Sequence, residues 1–155
     1  MKNKIPILIF ISASFAIIGL LGPEYFRYYQ HTSSMSPTLK VGETYVINPF
    51  SFIIKQPKRG DIIILKGNDD NHEFKGAKRI IGLPNEIIRI HKGHIYANNK
   101  SVSDQFYDIP ITSFKNYLKL DSNEYYVVGD NINNSLDSRH YGPIKSRNIH
   151  AKLIP

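Results

Sequence analysis

Hydrophobic and polar positions follow two different patterns along this chain. After Lys2 and Lys4, residues 5–23 carry no charge. As a helix rising about 1.5 Å per residue, these 19 positions span roughly 28 Å, close to the hydrocarbon thickness of a bilayer. A removable leader has an apolar core of about 7 to 15 residues followed by a small-x-small site, whereas this run ends in Leu20-Leu21-Gly22-Pro23. The expectation is a retained membrane anchor over residues 5–23. Because Lys2 and Lys4 precede the run, residues 1–4 are placed in the cytoplasm and residues 24–155 outside. Tyr25, Phe26, Tyr28 and Tyr29 follow directly, as an interfacial aromatic belt would.

From His31 onward the period is that of strands, with short β-branched runs set between turn residues. Residues 44–47, 61–65, 79–81, 87–90, 94–96 and 125–128 are the predicted strands. Arg59-Gly60, Leu83-Pro84-Asn85, Lys92-Gly93 and Gly129-Asp130-Asn131 are predicted turns, because they supply positive φ, fixed φ or side-chain-to-backbone bonds. No apolar pattern of period 3.6 beyond residue 30 is long enough for a substantial helix. The result is one mainly-β domain of sandwich or barrel type. Residues 98–123 are polar and irregular and give no pattern.

Composition narrows the chemistry. The 155 residues suit one domain with appendages. A net charge of +7 from 20 Lys and Arg against 13 Asp and Glu favours anionic partners, and an anionic phospholipid surface accounts for it. No nucleic-acid-binding motif is present. The absence of cysteine excludes disulfides, thiolate metal sites and cysteine nucleophiles.

Three segments carry candidate chemistry. Residues 32–39, Thr-Ser-Ser-Met-Ser-Pro-Thr-Leu, begin nine residues after the expected anchor and on their own read equally as a polar linker. In residues 75–84, a strand would put Lys78 on one face with Gly76, Ile80 and Gly82. A lysine accepts a proton only when neutral, and an apolar strand face is where desolvation lowers its pKa. An edge lysine that blocks aggregation is the alternative. Residues 129–142 hold more small polar side chains than a plain turn needs, which suggests a loop that satisfies its own backbone and fixes something nearby. Asp137 and Arg139 within it can form an ion pair.

Together these segments resemble the type I signal peptidases, a bacterial family of Ser/Lys-dyad serine peptidases. The resemblance covers Ser34 to Leu39, Pro57-Lys58-Arg59-Gly60-Asp61-Ile62-Ile63, Lys78-Arg79-Ile80-Ile81-Gly82-Leu83-Pro84, and Gly129-Asp130-Asn131 with Asn134-Ser135 and Asp137-Ser138-Arg139, in family order behind the apolar run. It implies a catalytic domain of coiled antiparallel sheets behind one transmembrane helix, and a membrane-bound endopeptidase that removes signal peptides from exported pre-proteins by acyl-enzyme chemistry. Position by position it makes Ser34 the nucleophile and Lys78 the general base. Thr32 falls where a hydroxyl joins the Ser34 N–H in the oxyanion hole, and in an extended segment side chains two apart share one side. Ser135 falls where a hydroxyl orients the lysine, and Asp137 with Arg139 where a structural ion pair stands. Ala77 is a candidate substrate pocket wall. No metal or cofactor is implied, and the substrate is expected as an extended strand. The lysine segment continues as Pro84-Asn85-Glu86 where the family has Pro-Gly-Asp, and Asn is the non-glycine residue best suited to the left-handed region. A specialised processing peptidase of a conjugation or secretion system would share the dyad, and a self-cleaving repressor would need a DNA-binding segment in place of the anchor. An inactive homologue kept as a binding scaffold would be expected to lose Ser34 or Lys78.

Overall fold

The computed structural model describes residues 26–68, 73–104, 106 and 117–154. The expected anchor at residues 5–23 lies outside them, and among the described residues no helix is long and apolar enough to cross a membrane. Eleven strands follow in order: β1 (Arg27–Tyr29), β2 (Thr44–Asn48), β3 (Ile62–Asn68), β4 (Glu73–Gly82), β5 (Ile87–His91), β6 (His94–Ala97), β7 (Lys100–Ser101), β8 (Leu118–Lys119), β9 (Glu124–Val128), β10 (Ile144–Lys145) and β11 (Ile149–Ile154). Two one-turn helices, α1 (Ser51–Ile54) and α2 (Ser138–Tyr141), and three 3-10 turns complete the described elements. The mainly-β expectation holds, and each predicted strand falls on an observed one.

Every pairing is antiparallel. One sheet runs β1-β2-β11-β3-β4-β9-β10 and a smaller one β7-β6-β5-β8. Alternation along the strands splits the core of the large sheet in two. Ile64 and Ala77 pack on one face with Met35, Leu39, Ile47, Ala151 and Leu153, while Ile63, Leu65 and Ile80 pack on the other with Tyr125, Val127 and Ile144. A third cluster, including Ile81, Ile88, Leu120 and Tyr126, fills the junction with the small sheet. The large sheet coils, since the Tyr28 hydroxyl on β1 accepts a hydrogen bond from the Ala77 N–H on β4 at 3.0 Å across three intervening strands.

Tyr28 corrects one expectation. Instead of joining an aromatic belt, its ring packs against the Met35 and Leu39 cluster, because β1 pairs with β2 and turns that ring inward. The Leu83 to Glu86 turn forms as expected. Asn85 adopts a left-handed φ of 66°, and the Glu86 carboxylate accepts from the Leu83 N–H at 2.8 Å and pairs with Arg59 at 2.6 Å.

Gly82 closes β4 where the two sheets meet. A Cβ there would lie 2.6 Å from Ile88 Cδ1 and 2.8 Å from Tyr126 Cβ. Gly82→Ala should therefore cost about 1–3 kcal/mol by overpacking, read as a lower denaturation midpoint in guanidinium at unchanged slope.

Candidate active site

The site begins with a turn. Thr32 is extended, and Ser33–Met35 then forms a single 3-10 turn. Met35 and Leu39 anchor it in the core. The Asn131 N–H donates to the Ser34 carbonyl at 3.0 Å, and the Asn131 and Asn134 amides donate to the Ser33 carbonyl and hydroxyl at 3.1 and 2.6 Å. Gln30 is fully buried, and its side-chain amide donates to the Thr32 carbonyl. These grips turn Ser33 away and leave the Ser34 hydroxyl 3.2 Å from that of Thr32. The two hydroxyls converge as expected, but through the turn rather than strand alternation, because the extended conformation stops at Thr32.

Lys78 approaches from β4. Its cross-strand partner is Ile63, and both Ile63 and Ile80 belong to the buried cluster on its face. β9 joins β4 only from Arg79 onward, so the edge of β4 is open just before Lys78. There the amine donates to the Ala77 carbonyl at 3.0 Å and to Ser34 Oγ at 3.1 Å. Lys78 is 6% exposed and Ser34 8%. Burial lowers the Lys78 pKa, the Asp137 carboxylate pulls it back up, and Arg139 pushes it down again. The result is an amine displaced toward its neutral form beside a hydroxyl.

The third segment supports both. Asp137 is fully buried, and Arg139 pairs with it through two bonds of 2.8 Å. The same carboxylate accepts from the Gly129 N–H at 2.9 Å and the Arg139 N–H at 3.2 Å, capping α2. Gly129 is a close-approach position: a Cβ would stand 2.2 Å from Ser135 Oγ and 2.5 Å from the Ser34 carbonyl oxygen. The Ser135 hydroxyl is buried with no hydrogen-bond partner among the described residues. It lies beside the Ser34 backbone without a bond to Lys78. Ala77, expected as a pocket wall, is 1% exposed and sealed in the core, and its contribution is the carbonyl that holds the Lys78 amine.

A cleft of about 280 Å³ opens on the pair, lined in part by Thr32, Ser34, Lys78, Asn134, Leu136 and Tyr141. A second cleft of about 830 Å³ shares Thr32, Leu65, Glu73 and Lys75 with the first and continues past Tyr28 and Gly76. The sequence brought forward neither Gln30 nor Tyr28 as site residues. Both act through contacts that no local pattern signals.

Residues 3–154 match the family described as signal peptidase, peptidase S26. The chain belongs to that family. It is 34% identical over 118 residues to a probable signal peptidase I-2 of Synechocystis, covering 74% of this chain and 54% of that protein. It is 36% identical over 130 residues to signal peptidase I V of Bacillus subtilis, covering 75% of this chain and 76% of the relative. The chain thus spans about half the length of the Synechocystis relative and three quarters of the Bacillus one. A crystal structure of a signal peptidase I from Enterococcus faecalis superposes with a TM-score of 0.54 at 27% identity, over 64% of this chain and 98% of that one. The shared architecture is the antiparallel one described above.

Because burial lowers the Lys78 pKa, the folded protein binds fewer protons than the unfolded chain between the two values. Stability from this group is therefore poorest below the folded pKa and improves as pH rises toward 10.5. Lys78→Met keeps the length without the charge. In detergent it should raise Tm by about a few degrees below that window, with the gain shrinking as pH climbs. An unchanged or lowered Tm at acid pH would show that the ammonium is not desolvated.

Proposed function

We propose that this chain is a membrane-bound serine endopeptidase that removes N-terminal signal peptides from exported pre-proteins. The observation that carries this reading is the Lys78 amine, 3.1 Å from Ser34 Oγ and out of water, in a chain of the signal peptidase family. Neutral Lys78 takes the Ser34 proton as Oγ attacks the scissile carbonyl. The C–N bond breaks, the ammonium returns its proton to the leaving amine, and a water activated by Lys78 releases the acyl group. Thr32 Oγ–H and the Ser34 N–H donate to the oxyanion. Ser135, with a buried and unclaimed hydroxyl, orients the Lys78 amine once a peptide closes the cleft, and the Asp137–Arg139 pair holds the loop that carries it.

In this reading the substrate adds as a strand along the free edge of β4. Residues 5–23 anchor the chain with the N-terminus in the cytoplasm and the catalytic domain outside. The first described residues support a seat at the bilayer. The Phe26 and Phe50 rings meet at a tilt with centroids 6.2 Å apart, Val46 faces Ile154 across the strands, and Val46, Phe50, Ile53 and Ile154 are all exposed. Arg27 pairs across from Val46, where it can meet anionic head groups.

Ser34→Ala and Lys78→Ala should each bring cleavage of a pre-protein to background, since both members act in one step. The cut is located by mass spectrometry. Full cleavage by either variant rejects the dyad. Wild-type turnover should rise with pH through the lowered Lys78 pKa and level off below the ordinary lysine value, and a flat profile would give the lysine another job.

Thr32→Ala should lower kcat by about a hundredfold to a thousandfold with little change in KM, the loss of one oxyanion donor. Thr32→Ser should keep most of the rate. Near-normal kcat in Thr32→Ala, with a lowered Tm, would make Thr32 a cap of the loop.

A further inference from the structure

The free edge of β4 is only partly free. In the β3–β4 ladder Ile63 faces Lys78 and Ile64 faces Ala77, and the Ala77 N–H and C=O turn away from β3 to bind the Tyr28 hydroxyl and the Lys78 amine. By the two-residue period of a strand, Lys75 and Glu73 present their backbone groups to that same side. β9 covers the side only from Arg79, and the two joined clefts run along it past Lys75 and Glu73. A peptide strand paired here and reaching the Ser34 hydroxyl meets the Ala77 N–H, the edge donor nearest the dyad. That donor already has an acceptor.

We infer that Tyr28 sets the threshold for substrate binding, its phenol oxygen competing with the substrate backbone for the Ala77 N–H. This rests on the peptidase reading above. With the site empty, the phenol satisfies an amide whose residue is 1% exposed and which water therefore reaches poorly, a group that is costly to leave unpaired. A substrate carbonyl takes that place only by displacing the hydroxyl, which returns to the second cleft that Tyr28 itself lines. Short peptides gain one bond and lose one. A long strand gains the further edge groups at Lys75 and Glu73, so it offsets a fixed cost that a short fragment does not. Gly76, at φ of 117°, carries no side chain, and its Cβ position lies 3.6 Å from the phenol oxygen. That distance is an ordinary contact, and what calls for glycine at position 76 is its backbone conformation.

Tyr28→Phe keeps the ring packing and removes only the acceptor. In the full chain in detergent, with a peptide spanning an Ala-x-Ala cleavage site, the variant should bind more tightly. KM should fall by about two- to tenfold, the net worth of one hydrogen bond, with kcat unchanged, and by the same factor for full-length and truncated peptides. The same fall should appear as a lower Kd by fluorescence anisotropy in a Ser34→Ala background, where no chemistry is needed. The Ala77 amide should exchange faster in free Tyr28→Phe and regain protection with peptide. An unchanged or raised KM and Kd, with only Tm lowered, would make the phenol a structural tie and overturn the inference. Cleavage that persists in Ser34→Ala would instead reject the dyad, and the Kd comparison stays readable either way.

Discussion

A primary amine held out of water beside a hydroxyl is the constraint around which the rest of this domain is arranged. Burial alone moves Lys78 toward neutrality, yet the loop that completes the site brings a fully buried carboxylate, Asp137, whose charge draws the proton back. Arg139 resolves the conflict. Its guanidinium binds both carboxylate oxygens at 2.8 Å, so the amine meets a nearly neutral pair rather than a bare anion. The salt bridge by itself would give the pair a role of position only. The opposed pulls on Lys78 give it a second, electrostatic role.

A single guanidinium also joins the four sequence segments that first suggested the family. Arg79, next to Lys78 on β4, binds Asp130 through two bonds of 2.8 and 2.5 Å and the Gly60 carbonyl at 2.9 Å. Asp130 in turn accepts from Thr38, at the end of the serine segment, at 2.5 Å. The lysine strand, the Arg59-Gly60 turn, the polar loop and the serine turn therefore converge on one charged knot, set against the Phe106 ring at 5.2 Å. Spacing along the chain does not explain why those segments belong together. A shared, half-buried network does, since each member would otherwise leave a polar group without a partner.

What the sequence made legible follows from how local the signal was. Strands β2 to β6 and β9 were found, as was the left-handed Asn85, because both depend on neighbours in sequence. β7 and β8, at two residues each, are too short for any period to register. β11, Ile149–Ile154, alternates but was not among the predicted strands, and its place between β2 and β3 is a long-range fact. β1 was read as part of a membrane interface because its aromatics abut an apolar run, and only pairing with β2 distinguishes the two. Gln30 and Tyr28 were missed for the same reason: each acts through a partner that only the coiling of the sheet or the turn at Ser33 brings near.

An exposed strand edge invites pairing with any other chain, and proteins ordinarily block it with lysines or cover it. A protein that reads peptides as strands must keep such an edge and limit who uses it. The edge lysine expected of Lys78 under the structural alternative does exist here, three residues earlier. Lys75 is exposed and sits directly opposite Lys66 across β3 and β4, a like-charge pairing that disfavours the ladder. Lys78 could not serve that purpose, because its amine is turned inward to Ser34. Lys75 places a charge beside the outer part of the edge, and the Tyr28 phenol guards the inner part, where a charge would act on the lowered pKa of Lys78. The division of labour follows from desolvation: the nearer the edge lies to Lys78, the less charge it can carry, so the guard there has to be a neutral hydroxyl.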